Sequence, residues 1–533
     1  MSAPLAVPAP RGRDVRDWHL GLSLVASCLF VYLLVFIRLD APRAASGDQA
    51  IYLHHATRYL EGELIYRDFA HFTPPGTDLI YAGLFKLLGV RAWIPQVALI
   101  LIGASLAWLS TVISKRLVKG AAVYLPGFLF LSLPFSSFLD ATHHWYSLIA
   151  ITAALAVVIE KRTASRLAVA GIFCGIAACF TQSAALVTVG FGLFLWWEKR
   201  RENGPWSSLL KIEACLLTPA LATILSFIGY YVWKVGLRHF VYYTLIFPAK
   251  YYPADKFNNW RVYLAERPSF HVWANWPDLV AWVMVHILVP GVYLLFFVRY
   301  GRLGRLQPDK PWDRLMLVNL TGLFLFLSVA AAPSDVRLYC VSLPALIVLV
   351  WFLSLPHRLE QAILRTAWAM VLILGIAKPI VAQIRWRAYL QLPTGRTAFL
   401  DPVLYDKCQW LVERTRPSQY LFGDPFLCFA LRLRNPSRIP FVRPTDYTRP
   451  EDVQQLVQTL EEHQVEFVSW YNGLDVTDKP AGDHLAPLRS YLSSHYHVAR
   501  TFSNLDTFLE RNPGPPCITE APSPKGADGK ERL

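Results

Sequence analysis

Residues 46–78 read SGDQAIYLHHATRYLEGELIYRDFAHFTPPGTD and directly follow the first long apolar segment of the chain. The acidic residues of this stretch, set among aromatic residues and histidines, are Asp48, Glu61, Glu63 and Asp68. A helix is predicted over 50–60, with Asp48 at its N-terminus, where an acidic side chain caps free backbone amides. Gly62 ends this helix, and the Pro-Pro-Gly sequence at 74–76 closes the loop. The stretch therefore predicts an organised polar loop at the mouth of a membrane helix.

Composition places this loop in a multi-pass membrane protein. The chain has 533 residues, is 54% hydrophobic and has a mean hydropathy of +0.33. Runs of roughly 17 to 25 apolar residues can cross a hydrocarbon core about 30 Å thick. The candidate runs are 20–38, 93–113, 120–136, 145–159, 167–181, 184–197, 209–235, 277–298, 315–332, 338–355 and 366–384. We therefore expect about eleven transmembrane helices, the first of them an uncleaved anchor.

The distribution of charge predicts the orientation. The formal net charge is +14, and the whole excess lies before residue 385, with 34 basic against 20 acidic residues there and 18 of each from residue 385 onward. With 79–90 taken as an amphipathic interfacial helix, the basic loops all fall on the side of the N-terminus. The sequence thus predicts a cytoplasmic N-terminus, an outer loop at 39–92 and an extracytoplasmic tail. A charge pattern of this kind argues against nucleic acid as a partner.

Five segments follow from these patterns. They are a cytoplasmic N-terminus at 1–19, an all-α polytopic membrane domain at 20–384, its first outer loop at 39–92, a small extracytoplasmic α/β domain at 385–511 and a disordered tail at 512–533. In the α/β domain, strands are predicted at 420–423, 467–470 and 497–502, and a helix at 450–464. The eight cysteines show no CxxC or CxxH spacing, so neither a zinc site nor a disulfide framework is predicted.

The first loop carries a resemblance to a known family. The residues concerned are Gly47-Asp48, Tyr52, Ala56, Leu60, Gly62, Tyr66-Arg67-Asp68 and Pro74-Pro75-Gly76. This pattern resembles integral-membrane glycosyltransferases of the GT-C fold, above all the bacterial relatives of protein O-mannosyltransferases (glycosyltransferase family 39) and of lipid A aminoarabinose transferase. The resemblance implies transfer of a sugar from a polyprenyl-phosphate donor to a lipid, glycan or protein acceptor at the outer face of a bacterial inner membrane. Thr73 departs from the aminoarabinose transferase, which has a lysine before its Pro-Pro pair.

Such a transfer requires a base near the acceptor hydroxyl and cations near the departing phosphate. Asp48 is the predicted base, because the resemblance implies that the acidic residue of the first loop activates the acceptor. The alternative is that Asp48 only caps a helix. Asp140, in the second outer loop, is a further catalytic candidate.

Substrate-binding candidates come from the predicted outer surface. They are Tyr52, Tyr66, Asp68, His71, His143, His144, Lys250 and Arg337. Arg337 matches the place where the resembled enzymes keep a basic residue for the donor phosphate, whereas Lys250 could instead snorkel to lipid headgroups. Adjacent histidines point to different faces of a helix and make a poor metal pair. No metal site or cofactor is predicted, although a divalent cation between Asp48 and Asp140 stays open.

Two other classes of function remain open at this stage. A transporter or flippase for lipid-linked saccharides should show internal repeats and polar groups at mid-membrane. Neither is evident here, since the polar groups gather at one predicted surface. A non-catalytic scaffold would need no acidic residue in the first loop, and replacing Asp48 would leave its function intact.

Overall fold

A computed structural model of the protein describes residues 17–513, except 204, 266–267, 269–270, 272–275, 305, 308–309, 386 and 476–481. The predicted cytoplasmic N-terminus and the predicted disordered tail fall almost entirely outside the described residues. Helices dominate the described part, and every apolar run predicted to span the membrane lies on one or more of them.

The helices before residue 385 follow the order of the apolar runs. They are α1 (Asp17–Val35), α2 (Gly47–Leu60), α3 (Gly76–Leu88), α4 (Ile94–Ser114), α5 (Leu125–Phe130), α6 (His143–Val158), α7 (Ala164–Phe180), α8 (Leu186–Arg201), α9 (Trp206–Val235), α10 (Leu237–Val241), α11 (Phe247–Lys250), α12 (Val262–Ala265), α13 (Trp276–Val283), α14 (Val289–Leu303), α15 (Trp312–Ser328), α16 (Asp335–Val341), α17 (Leu343–Leu353) and α18 (Arg358–Ile384). Short π-helical segments continue α5 and α10 and join α13 to α14.

Length and composition identify the helices able to cross a membrane. Among the described residues five are long and apolar enough, at 18–35, 94–114, 206–235, 276–303 and 358–384. The pair α16 and α17, bent by 58°, makes a sixth if it is counted as one span. Shorter apolar helices lie at 125–135, 143–158 and 164–180. The protein is therefore a helical membrane protein, and the count of eleven spans stays a prediction.

Two glycines in α7 allow α7 and α9 to pack closely. A Cβ atom on Gly171 would lie 2.1 Å from the carbonyl oxygen of Leu216, and one on Gly175 would lie 2.7 Å from that of Ala220. Small residues spaced four apart let the backbones of two membrane helices approach each other. This pair therefore explains why α7 and α9 share one of the most extensive helix contacts of the described structure.

The chain after residue 385 combines strands with shorter helices. Its helices are α19 (Pro402–Val412), α20 (Pro425–Leu431), α21 (Pro450–Glu462) and α22 (Ala486–His495). Two short strands near the first loop, β1 (Phe36–Ile37) and β2 (Ala41–Pro42), precede the strands of the tail, which are β3 (Ala388–Leu392), β4 (Gly395–Phe399), β5 (Leu421–Phe422), β6 (Phe467–Trp470), β7 (Tyr496–Thr501) and β8 (Thr507–Arg511). A mixed sheet forms in the order β5-β6-β8-β7, in which only β5 and β6 are parallel, and β3 pairs with β4 as a hairpin.

The structure refines the tail predicted from the sequence. The predicted strand 467–470 is β6, and the predicted helix 450–464 is α21 with Pro450 in its first turn. The strand predicted at 420–423 shrinks to the two residues of β5. The hairpin of β3 and β4 and the strand β8 were not predicted, because none of them has a strict apolar alternation.

Hydrogen bonds fasten the tail to the first loop. The backbone N–H of Ala44 donates to the carbonyl oxygen of Ala398 at 2.8 Å, and that of Ala70 donates to the carbonyl oxygen of Arg438 at 2.8 Å. Arg434 forms an ion pair with Glu61 at 3.0 Å. The loop that the sequence singles out is therefore covered by the tail, and the candidate site lies between them.

Candidate active site

The N-terminus of α2 positions the predicted base. Ser46 occupies the N-cap position, and Asp48 is the second residue of the helix, in its first turn. The prediction that Asp48 caps the helix is therefore wrong. Ser46 in turn donates from Oγ to both carboxylate oxygens of Asp140, at 3.1 and 3.2 Å. Gly47 has a φ of +52°, and a Cβ there would lie 3.3 Å from Asp140 Oδ2, which explains the glycine before Asp48.

The side chain of Asp48 lines a cavity of about 520 Å³. The cavity lies between the N-terminal ends of α2 and α6, the segments 71–73, 181–183, 248–258 and 328–337, and residues 441–447 of the tail. Six of the predicted site residues line it: Asp48, Tyr52, His71, His143, His144 and Arg337. Residues that lie far apart in the first loop, the second loop and the membrane part thus meet at one place.

The surroundings of Asp48 set its basicity. Its side chain is exposed to the cavity, while the enclosing protein raises the pKa of its carboxyl above the ordinary value by removing solvent. The charges of Arg337 and Arg443 act in the opposite direction and lower that pKa. Loss of solvent thus raises the basicity of Asp48, and the two guanidinium groups offset part of that effect.

Arg337, in the first turns of α16, is held in place by three acceptors. Its Nη1 donates to the carbonyl oxygen of Ala332 at 2.7 Å. Its Nη2 donates to Asn258 Oδ1 at 3.1 Å and to the hydroxyl of Tyr252. These bonds join the segment before α16 to the segment that follows α11, so Arg337 forms part of the cavity wall.

A chain of hydrogen bonds runs along one side of the cavity. His71 Nδ1 is 2.7 Å from Thr73 Oγ1, which is 3.2 Å from the hydroxyl of Tyr52, and that hydroxyl is 2.6 Å from His143 Nδ1. Burial lowers the pKa of His71 to about 3, so its ring is neutral. Thr73, the residue that departs from the resembled pattern, therefore links the histidine of the first loop to that of α6.

Four predicted site residues lie outside the cavity lining. Asp140 is buried behind the N-terminus of α2, where loss of solvent raises its pKa to about 6. Tyr66 is buried in an aromatic cluster and donates its hydroxyl to the carbonyl oxygen of Thr73 at 2.8 Å. Asp68 accepts from Arg67 at 2.6 Å, and Lys250 is exposed with its Nζ 5.2 Å from the ring of Tyr251. None of these four residues therefore lines the cavity, and their roles in catalysis or substrate binding stay predictions.

The arrangement of acidic, histidine and cysteine side chains bears on the question of a metal site. Among the described residues no group of three or more His, Cys, Asp or Glu side chains is placed to hold a metal ion. Asp140 is not part of the cavity lining, but the charge of Asp48 adds to burial in raising the pKa of Asp140, so a cation between these two carboxylates stays a prediction.

Sequence reasoning missed several residues of the lining. They include Gln182, Tyr252, Asp255, Phe441, Arg443 and Tyr447. Gln182, in the turn after α7, donates to the carbonyl oxygen of Phe72 at 3.0 Å and so positions the first loop. Tyr252 and Asp255 belong to the outer segment whose Lys250 was chosen instead. No local pattern distinguishes Arg443 and Tyr447 from other residues of the tail.

No protein-family model matches the chain, and no curated protein sequence matches it significantly. Its structure is similar to the crystal structure of ArnT from Cupriavidus metallidurans bound to undecaprenyl phosphate, with a TM-score of 0.56, 12% identity, and coverage of 92% of this chain and 97% of that one. The apo form of the same protein gives a TM-score of 0.55 at 13% identity, covering 92% and 98%. The archaeal oligosaccharyltransferase AglB from Archaeoglobus fulgidus gives a TM-score of 0.49 at 13% identity, and the match covers 85% of this chain and 69% of AglB.

These solved structures are glycosyltransferases of the GT-C fold. The similarity to ArnT extends over nearly the whole of both chains, so the protein is a multi-pass membrane protein with the GT-C fold. The resemblance read from the first loop is confirmed at the level of the fold. Sequence identity of 12 to 13% carries the comparison no further than that.

Proposed function

We propose that the protein is a membrane glycosyltransferase that moves a sugar from a polyprenyl-phosphate-linked donor to a hydroxyl group of a lipid, glycan or protein acceptor of the cell envelope. The observation that carries this proposal is the composition of the cavity. One wall presents the carboxylate of Asp48, and the charges of Arg337 and Arg443 both act on that carboxylate. An acidic residue and cations in one enclosed space are the groups that such a transfer requires.

The chemistry assigns a role to each side. The acceptor oxygen attacks the anomeric carbon of the donor sugar, and its proton passes to the carboxylate of Asp48. The bond between the anomeric carbon and the phosphate oxygen breaks, and its electron pair leaves with the polyprenyl phosphate. The guanidinium groups stabilise the negative charge that grows on that phosphate. His71, His143 and His144 then present imidazole groups to the sugar hydroxyls.

The fold supports the same proposal. ArnT, whose fold the protein shares, has been crystallised with undecaprenyl phosphate. The location proposed here is the bacterial inner membrane, with eleven spans over residues 20–384 and a cytoplasmic N-terminus. In this arrangement residues 385–511 lie outside the membrane, and the cavity opens at the outer face. Labelling of single introduced cysteines from outside intact spheroplasts tests the orientation.

The direct test of the function is transfer by the purified protein. The enzyme is incubated with polyprenyl-phosphate donors carrying different labelled sugars and with cell-envelope fractions. We expect label to move from at least one donor to an acceptor. The new glycosidic linkage should withstand mild acid, which releases the sugar from the lipid phosphate. If a folded, monodisperse protein transfers sugar from none of the donors in the panel, the proposal is contradicted. A transporter or a scaffold would then be the better interpretation.

A further inference from the structure

One segment of the tail reaches from the protein surface into the cavity. Residues 434–448, called the strap here, begin at the ion pair between Arg434 and Glu61. The carbonyl oxygen of Ser437 accepts from Nη1 of the buried Arg58 in α2, at 2.8 Å. The strap is therefore fastened to the same helix that carries Asp48.

The inner end of the strap is held by aromatic packing. The ring of Tyr447 stacks on Phe441 with centroids 5.9 Å apart, and it meets Phe247 edge-on at 5.3 Å. The backbone N–H of Arg443 donates to the hydroxyl of the buried Thr448 at 2.7 Å. These contacts fix the backbone on both sides of Arg443, so its side chain belongs to a defined part of the wall.

The two arginines of the cavity differ in how many of their guanidinium N–H groups remain free to bind a ligand. Arg337 already uses both of its terminal nitrogens, toward Ala332, Tyr252 and Asn258. The guanidinium of Arg443 lies 5.3 Å from the ring centre of Phe441 and makes no hydrogen bond or ion pair to any described residue. A planar guanidinium with free N–H groups is the side chain best suited to bind phosphate through two parallel hydrogen bonds.

We infer that Arg443 directly binds the phosphate group of the lipid-linked donor, so that the strap is part of the donor site. This inference rests on the proposed function. Arg337 then holds the wall and contributes its charge, while Arg443 supplies the hydrogen bonds. The tail is thereby assigned to donor binding, a role that its position outside the membrane domain does not suggest.

Binding of undecaprenyl phosphate to the purified full-length protein tests the inference, with the uncharged undecaprenol as the reference lipid. We compare the wild type with Arg443→Gln, Arg443→Lys and the control Arg416→Gln. Arg416 is also an exposed arginine of the tail, it lies outside the cavity, and its side chain makes no hydrogen bond or ion pair to a described residue. Thermal unfolding in the same detergent establishes that each variant is folded.

The expected result is selective for phosphate. The wild type and Arg416→Gln bind undecaprenyl phosphate more tightly than undecaprenol. Arg443→Gln loses about tenfold or more of its affinity for undecaprenyl phosphate and keeps its affinity for undecaprenol, and Arg443→Lys loses only part of the affinity for undecaprenyl phosphate. Unchanged affinity in a folded Arg443→Gln protein would overturn the inference and leave the proposed function standing. A wild type that does not distinguish the two lipids would overturn both. If Arg443→Gln does not fold, the lysine variant decides: affinity equal to wild type contradicts hydrogen bonding through the guanidinium, and a partial loss supports it.

Discussion

Replacing Asp48 by asparagine separates its chemical role from a structural one. The substitution keeps the shape of the side chain and removes its charge. Asp48 makes no hydrogen bond to any described residue, so the variant breaks none. An acidic side chain in the first turn of a helix interacts favourably with the helix dipole, and at surface sites this typically contributes about 0.3 to 1 kcal/mol. The raised pKa of Asp48 indicates that burial outweighs the favourable electrostatics of its ionised form.

The sign of the stability effect follows from that pKa. Because the folded-state pKa lies above the unfolded value, the contribution of Asp48 to stability falls as the pH rises from the unfolded toward the folded pKa. At neutral pH the charge is a net cost to folding, so we expect Asp48→Asn to unfold at the same or a higher temperature than wild type. A general base contributes about 10² to 10⁴ in rate, or about 2.7 to 5.4 kcal/mol of transition-state stabilisation. The predicted signature is therefore a large loss of rate without a loss of stability.

The assay measures kcat for sugar transfer at saturating donor, together with thermal unfolding in the same detergent. Asp278→Asn is the matched control, because Asp278 is an exposed acidic residue in the first turn of α13 and lies outside the cavity. We expect the control to retain the wild-type rate. The reasoning fails if Asp48→Asn transfers sugar within about threefold of wild type, a change far smaller than the range expected for a base. It also fails if the loss of rate is matched by an equal loss of folded protein.

Two further predictions test the electrostatics and the packing around the first loop. Because the charge of Arg337 lowers the pKa of Asp48, Arg337→Gln should move the acidic limb of the pH profile of kcat/KM to higher pH. An acidic limb at the wild-type pH would contradict the electrostatic interaction between Arg337 and Asp48. Gly76→Ala should lower the unfolding temperature at a cost of about 1 to 3 kcal/mol, since a Cβ there would lie 2.7 Å from the ring of Phe180. Gly83→Ala in the same helix meets nothing within 4 Å and should be neutral or stabilising; equal effects of the two changes would refute the packing argument.

The first loop was predictable because its pattern is local. Helix α2, its end near Gly62 and the start of α3 after Pro75 all follow from residues within one or two turns of each feature. The glycine of the Pro-Pro-Gly sequence has a packing reason that the sequence alone does not reveal. At Gly76 the chain passes against the backbone of Cys179, where a Cβ would come within 2.6 Å of the carbonyl oxygen.

The apolar runs predicted helices well and their breaks poorly. Every run lies on helical structure, since a segment in lipid must satisfy its own backbone hydrogen bonds. The π-helical segments at 131–135, 242–246 and 284–288 and the bend between α16 and α17 leave no clear trace in hydropathy. These irregularities depend on packing between helices, and a window along one helix does not contain that information.

The composition of the cavity was predictable only in part, for a related reason. Asp48, His71 and Arg337 were found because each lies in or beside a polar segment bordering an apolar run. Asp140 and Tyr66 lie in such segments too, yet their side chains point into packed structure. Arg443 is nearly 400 residues from Asp48 along the chain, and only folding of the tail over the first loop brings its charge to bear on that carboxylate. Position along the chain thus indicated which polar segments border the cavity, but not which way each side chain points.

The charges that line the cavity also bear on the direction of the proposed reaction. Among the described residues of the lining, the acidic and basic side chains other than histidine are Asp48, Asp255, Arg337 and Arg443, and their charges balance when both acids are ionised. A sugar linked to a lipid phosphate brings one negative charge, and transfer leaves a lipid monophosphate with close to two. The additional charge is the one that Asp48 loses when it takes the proton from the acceptor. Total charge in the cavity is therefore conserved, while negative charge moves from the carboxylate to the phosphate. In the proposed reaction a guanidinium beside the phosphate stabilises the negative charge that arrives there, and the net charge that the protein must bury stays the same.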